Sequence, residues 1–366
     1  MRSTILLAAL LLGGCATRPL TVAGDPALVA EAQVRETDDS GRPLRRPEVP
    51  PTLDGRHDVL LLSGGGSDGA FGAGVLVGWT ESGKRPKFDI VTGVSTGALM
   101  ATLAFLGPKH DPDLRRLYTE VTTKQVLKSR GVLGLLSGSY FAATPLEKMI
   151  ETTVDEAMLD EVAAEWRTGR RLYVATTDLD RGVTVTWDMG RIANSKSPYR
   201  ATLYRNVLAA SAAIPGVFRP SYLPLAAGNG AAMHVDGGVK TAVLFRSYMI
   251  DPEGEPQHVW AIVNGQIRWE SEGGPAGANV DTVLPRTISE MLRTITYRSI
   301  YRVYVMAKTG DAAYHLAYVP DDVTETDPIK FVPVEMARLF EAGRKFGLAG
   351  GWKAEPPRLE RYERQR

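Results

Sequence analysis

The run Asp58-Val59-Leu60-Leu61-Leu62-Ser63 constrains the fold most: it is apolar almost without interruption and stops at Gly64-Gly65-Gly66. A half-exposed strand alternates polar and apolar residues, whereas a short continuous run between turn residues is a strand buried on both faces, the condition of a strand inside a parallel sheet. Parallel strands need long crossovers, and the chain supplies one. A helix is expected from about Ala70 to Trp79, a second strand from Phe88 to Thr92, and a second helix from about Ala98 to Phe105. Strand, helix, strand, helix is the grammar of an α/β fold.

Later segments add to the sheet and its cover. Thr144-Pro145-Leu146-Glu147 is a capping box with proline at the first helical position, opening an amphipathic helix through Met149, Ile150 and Val154. Leu172 to Thr176 and Val183 to Trp187 are strand-like, and Asp180-Arg181-Gly182 between them marks a hairpin, so the sheet is expected to be mixed. Val259 to Val263 reads as a further strand. Helical spacing recurs at Ile288, Met291, Leu292 and Ile295 and at Met336, Leu339, Phe340 and Gly343; both stripes are expected to face the core, with Arg293, Arg298 and Arg302 on a solvated face.

The N-terminus has a different character. Met1-Arg2 precedes the apolar run Ile5 to Leu12 and Gly13-Gly14, the layout of a secretory signal over residues 1–14, too short to span a bilayer as a mature helix. Cys15 follows directly and is the single cysteine, which excludes an internal disulfide. This arrangement resembles the lipobox of bacterial lipoproteins, implying a lipid anchor on Cys15, the bilayer as partner and a location in the bacterial cell envelope. Residues 15–57, polar with Pro43, Pro47, Pro50 and Pro51, are expected to be a linker, residues 58–352 the main folded domain and 353–366 a polar tail. Lys plus Arg (43) nearly equals Asp plus Glu (42), which leaves no basic excess for a nucleic acid.

Two glycine-rich turns carry the chemistry. Gly93-Val94-Ser95-Thr96-Gly97 holds a serine between a strand and a helix, where a sharp turn would project its hydroxyl beside the helix N-terminus. Among 37 glycines the bare pattern could arise by chance, so its strand–helix context is what singles it out. Gly64-Gly65-Gly66-Ser67-Asp68-Gly69 also leaves a strand for a helix. As a dinucleotide loop it lacks the acidic residue that should end the next strand; as an oxyanion hole its bare amides would lie beside Ser95 on the neighbouring strand. A serine nucleophile needs a base. None of His57, His110, His234, His258 and His315 lies in an evident catalytic signature, while Asp236 stands at a glycine-marked strand end, His234-Val235-Asp236-Gly237-Gly238.

Together with Ala210-Ser211-Ala212-Ala213-Ile214-Pro215-Gly216-Val217-Phe218, these blocks resemble the patatin-like phospholipases in order and spacing over about Asp58 to Lys240. The resemblance implies a three-layer sandwich with a central mixed, largely parallel sheet flanked by helices. It implies a dyad of Ser95 as nucleophile and Asp236 as general base, working through an acyl-enzyme. It also implies oxyanion donors at Gly64, Gly65 and Gly66, supporting glycines Gly69, Gly93, Gly97, Gly237 and Gly238, and neither metal nor cofactor. The substrates it implies are membrane lipids or other acyl esters. One departure is Asp68, where the family commonly carries Arg or Lys. Two other readings stay open: a Ser-His-Asp esterase whose histidine is His258 or His315, and a lipid-binding lipoprotein that has lost turnover. After about Val259 the resemblance gives little.

Overall fold

The apolar run is strand β2 (His57–Leu62), every residue of it buried. In this computed structural model, which describes residues 18–19, 21–34, 55–129, 141–142, 144–250, 254–267, 277, 279–324 and 327–357, β2 lies between two parallel neighbours, β3 (Ile90–Val94) and β10 (Gln257–Val263). Strand β11 (Ala313–Tyr318) extends the parallel set beyond β10. On the other side β6 (Arg171–Asp178) runs parallel to β3, β7 (Val183–Asp188) returns antiparallel along β6, and the short β1 (Gln33–Val34) closes that edge. The order β1-β7-β6-β3-β2-β10-β11 is mixed and largely parallel, as the sequence pattern requires. Lys128–Ser129 (β4) and Phe141–Ala142 (β5) form a separate ribbon.

Successive side chains of a strand point to opposite faces, and both faces are covered. Leu60 and Leu62 join one core cluster with α2 (Gly69–Glu81), α3 (Thr96–Leu106) and α8 (Arg200–Ser211). Val59 and Leu61 join the other with residues 243–250 and α9 (Val280–Thr309). The result is the three-layer sandwich. The outermost helix of the first face, α10 (Pro333–Ala349), crosses α2 almost backbone to backbone: a Cβ on Gly74 would lie 2.0 Å from the Phe340 carbonyl oxygen, and one on Gly343 2.0 Å from that of Phe71. The C-terminal third therefore holds the helix that follows the first glycine-rich turn.

Several expectations are corrected. The stretch expected as linker is folded in part: Asp25 caps α1 (Pro26–Ala32), accepting from the Ala27 and Leu28 amides at 3.0 and 3.2 Å, and Leu28, Val29 and Ala32 are buried before the chain enters β1. An Asp-Pro helix start with three apolar anchors makes residues 25–34 part of the body. The polar tail begins later than residue 353, because Lys353 exchanges backbone bonds of 2.8 and 2.9 Å with Leu316, and Pro357 accepts from the Tyr301 hydroxyl. Met291, expected in the core, is 59% exposed; α9 instead buries Tyr297, Ile300, Val303 and Ala307. The second strand starts and ends two residues later than its apolar pattern suggests. The signal, Cys15 and residues 358–366 lie outside the described residues, among which no helix is long and apolar enough to cross a membrane.

Candidate active site

The sheet register brings Ser95 and Asp236 together. Strand β3 stops at the pair Val94↔Ala175, but β6 continues to Asp178. The edge that β3 vacates is taken by β9 (Ala231–Asp236), which arrives antiparallel from the opposite direction and ends on the pair Thr176↔Asp236, with β8 (Ser221–Pro224) on its far side. The strands thus meet end to end along one edge of β6. Ser95, the residue after Val94, is thereby brought beside the Asp236 carboxylate, whose pKa its hydroxyl pulls down.

At Ser95 the chain turns sharply, with φ 57° and ψ −126°, a conformation that strains a residue bearing a Cβ. Its flanking glycines leave no room for a side chain: a Cβ on Gly93 would lie 2.5 Å from the Gly97 oxygen, and one on Gly97 2.4 Å from the Leu62 oxygen. The turn is pinned by Ser211 at the end of α8, whose hydroxyl accepts from the Ser95 amide at 3.0 Å and donates to the Ala175 carbonyl at 2.7 Å. Ser211→Ala leaves both partners buried and unpaired, and is expected to cost about 1–3 kcal/mol of stability in urea unfolding, with a fall in kcat larger than any change in KM.

Asp236 is buried, and its Oδ1 accepts the Gly238 amide at 2.7 Å. Burial pushes its pKa up to about 6, against the opposing pull of the hydrogen bonds from Ser95 and Gly238. Gly237 packs against β6, where a Cβ would lie 2.4 Å from the Ala175 oxygen.

The first glycine-rich turn faces Ser95. A Cβ on Gly64 would lie 3.2 Å from the Ser95 Cβ, but the Gly64 amide points to the Ala242 carbonyl at 3.4 Å, so of the three expected donors this one is engaged elsewhere. Among the described residues the amides of Gly65 and Gly66 have no protein acceptor. Gly66, at φ +58°, would carry a Cβ 1.9 Å from the Pro328 oxygen. Gly69 packs on the helix after Ser95, with Thr96 Oγ1 2.5 Å from where its Cβ would be. Asn264 braces the turn: its amide donates to Ser63 Oγ and its Nδ2 to the Ser63 carbonyl, both at 2.8 Å, and its Oδ1 accepts from Gly72 at 3.1 Å. A second brace comes from the Asp327 and Pro328 carbonyls, which accept from the Ser67 hydroxyl and amide at 3.1 and 3.0 Å. Asp68 is buried at the N-cap of α2, where the helix dipole favours an acid, and does not line the pocket described next.

Beside Ser95 opens a pocket whose walls are apolar, including Leu99, Leu117, Met149, Ile214, Ile329 and Phe331. No histidine reaches it. His258 and His315 bond each other at 2.9 Å, and His258 pairs with Asp58, four residues before the site end of β2 and so about 13 Å away along the sheet. His57 bonds the Met249 carbonyl, His110 bonds Glu161, and His234 bonds Thr176, with burial pulling its pKa down to about 4. Among the described residues no group of three or more His, Cys, Asp or Glu is placed to hold a metal ion. Ser211 lies within a block already recognised in the sequence, though its pinning role is not readable there; Asn264, Ile329 and Phe331 have no local signal.

Residues 60–247 match the family model described as patatin-like phospholipase. A calcium-independent phospholipase A2-gamma of Mus musculus is 27% identical over 198 residues, covering 50% of this chain and 24% of that protein, so the match spans about a quarter of the relative's length. Among solved structures, VipD from Legionella pneumophila aligns over 89% of this chain and 72% of its own, at 15% identity and a TM-score of 0.43.

Proposed function

The chain belongs to the patatin-like phospholipase family, and on that premise we propose that it is a lipid acyl hydrolase working through a Ser95–Asp236 dyad and an acyl-enzyme. The observation that carries the reading is the meeting of Ser95 with the buried Asp236 carboxylate along one edge of β6, where Ser95 lines an apolar pocket. As Ser95 Oγ bonds to the ester carbonyl carbon, its proton passes to Asp236. The carbonyl oxygen becomes an oxyanion facing the Gly65 and Gly66 amides, and on collapse the alcohol leaves with the proton that Asp236 returns. Water repeats the cycle on the acyl-enzyme, giving up a proton to Asp236 as it bonds the carbonyl, and the carboxylic acid is released as Ser95 regains its hydrogen. A pKa near 6 lets Asp236 act both as base and as acid close to neutral pH, which an unperturbed carboxyl does poorly.

The apolar pocket supports an acyl chain as the group bound, and so membrane phospholipids or related acyl esters as substrates. A lipid anchor on Cys15 and a cell-envelope location belong to the same proposal. A panel of phosphatidylcholine vesicles and p-nitrophenyl esters of increasing chain length tests it: acyl release is expected without added metal, and a purified, folded protein that releases none from any member would reject turnover in favour of lipid binding alone. Met149→Trp narrows the pocket and is expected to lower kcat/KM for decanoate relative to butyrate esters by about tenfold or more, since each displaced methylene is worth that much in an apolar site.

A further inference from the structure

Strands β6 and β9 run on past the level of Ser95, and the turns at their far ends carry exposed aliphatic side chains. Leu179 (43% exposed) and Val183 (40%) belong to the β6–β7 hairpin, and Leu225 (39%) to the turn between β8 and β9. The two turns are neighbours, tied by the bond from the Leu179 amide to the Met233 carbonyl at 2.9 Å. The β8–β9 turn is closed by the Leu225 amide on the Gly230 carbonyl at 3.2 Å.

The N-terminal segment is pinned between the same two turns. The Arg18 guanidinium grips the Asp180 carboxylate with both ends, at 2.7 and 2.6 Å, and also donates to the Ala231 carbonyl. Asp180 in turn accepts the Met233 amide at 2.9 Å, so one ion pair joins hairpin, turn and N-terminal segment. Cys15 precedes Arg18 by three residues, a span of about 11 Å at full extension. A group attached to Cys15 is thus tethered within that reach of Arg18.

We propose that Leu179, Val183 and Leu225, around the Arg18–Asp180 pair, form a bilayer-docking face that sets the enzyme's orientation on the membrane. The proposal rests on Cys15 carrying the lipid anchor. A bilayer is the occupant the geometry favours, because the chain leaves the described body here toward its anchoring cysteine. The patch is also a set of aliphatic tips on turns, the form suited to entering the headgroup region, in place of a continuous face suited to a protein partner. The charges of Arg18 and Asp180 cancel within the patch, which lowers the cost of bringing it to the interface. Because β3 and β6 are parallel, this is also the end of the sheet where Ser95 lies, three to five strand residues or about 10–17 Å back from the tips. Docking there turns the acyl pocket's end of the sheet toward the lipid.

The test uses full-length protein purified with its native N-terminus and added to phosphatidylethanolamine–phosphatidylglycerol vesicles. Single cysteines are introduced by Leu179→Cys, Leu225→Cys and, at the opposite end of the sheet, Lys84→Cys, each labelled with an environment-sensitive fluorophore, with the unsubstituted protein labelled as background. Vesicles are expected to shift the emission at positions 179 and 225 to the blue, with quenching by spin-labelled lipid, and to leave position 84 unchanged. Sedimentation with the vesicles reports the anchor separately. Protein that sediments but shows no preference for 179 and 225 over 84 keeps the anchor and overturns the docking face; protein that neither sediments nor shifts overturns both.

Discussion

Ser95→Ala is expected to lower ester hydrolysis by at least about a thousandfold while leaving the protein folded. The substitution removes one oxygen and keeps the features that build the turn. The close approach at Gly93 and Gly97, the strained backbone at position 95 and the brace from Ser211 all remain, and alanine meets the same backbone strain as serine. Asp236 keeps the Gly238 amide. Rates on a p-nitrophenyl ester measured beside far-ultraviolet thermal melts separate the two effects. A variant that melts like the wild type and retains a tenth of the rate would place the nucleophile elsewhere.

Asp236→Asn is expected to lower kcat by a factor of about 100 to 10,000, the usual span for a general base, and to stabilise the fold. The sign follows from the direction of the pKa shift. Burial raises the folded pKa from 3.8 to about 6, so the ionised carboxylate is disfavoured in the native state. The resulting penalty is absent below about pH 3.8, grows as pH rises through the interval up to about 6, and is fully present above it, where it amounts to about 3 kcal/mol. Asparagine removes the charge, so the variant is expected to melt above the wild type at pH 8, with the difference shrinking toward pH 4. The wild-type kcat/KM is expected to rise with pH through a limb near 6, and that limb disappears in the variant. A variant less stable than wild type at pH 8 would mean that the charge is well solvated and that the limb has another source.

Much of the site is legible in the sequence because it is local. The β2 run, the elbow around Ser95 and the Asp236-Gly237-Gly238 strand end each declare themselves within six residues, by apolar density followed by glycine. What brings Ser95 and Asp236 together is not local: it depends on β3 stopping one rung before β9 begins on the same edge of β6, a fact of register that no single segment encodes. The braces share that property. Ser211 acts across 116 residues, Asn264 across 201 and Asp327 across 260, and polar side chains in otherwise ordinary surroundings give no periodic signal.

Other differences also have physical causes. Residues 25–34 have too little apolar periodicity to stand out among polar neighbours, yet the Asp25-Pro26 start and three buried side chains suffice when a sheet edge is free to receive them. Met291 follows a helical stripe that belongs to the part of α9 before its buried half, so spacing alone misassigns it. Asp68 departs from the family pattern toward a charge that would oppose an oxyanion; its place at the N-cap of α2 accounts for an acid there, and the two candidate donors, Gly65 and Gly66, are backbone amides that do not depend on its side chain.

The dyad is tested most directly by reacting the purified protein with a fluorophosphonate, which forms a stable adduct only with an activated serine. Intact mass and peptide mapping are expected to show one adduct, on Ser95, formed faster as pH rises through about 6 and strongly slowed in Asp236→Asn. No adduct, an adduct on another residue, or labelling of Ser95 at an undiminished rate in Asp236→Asn would contradict the Ser95–Asp236 dyad.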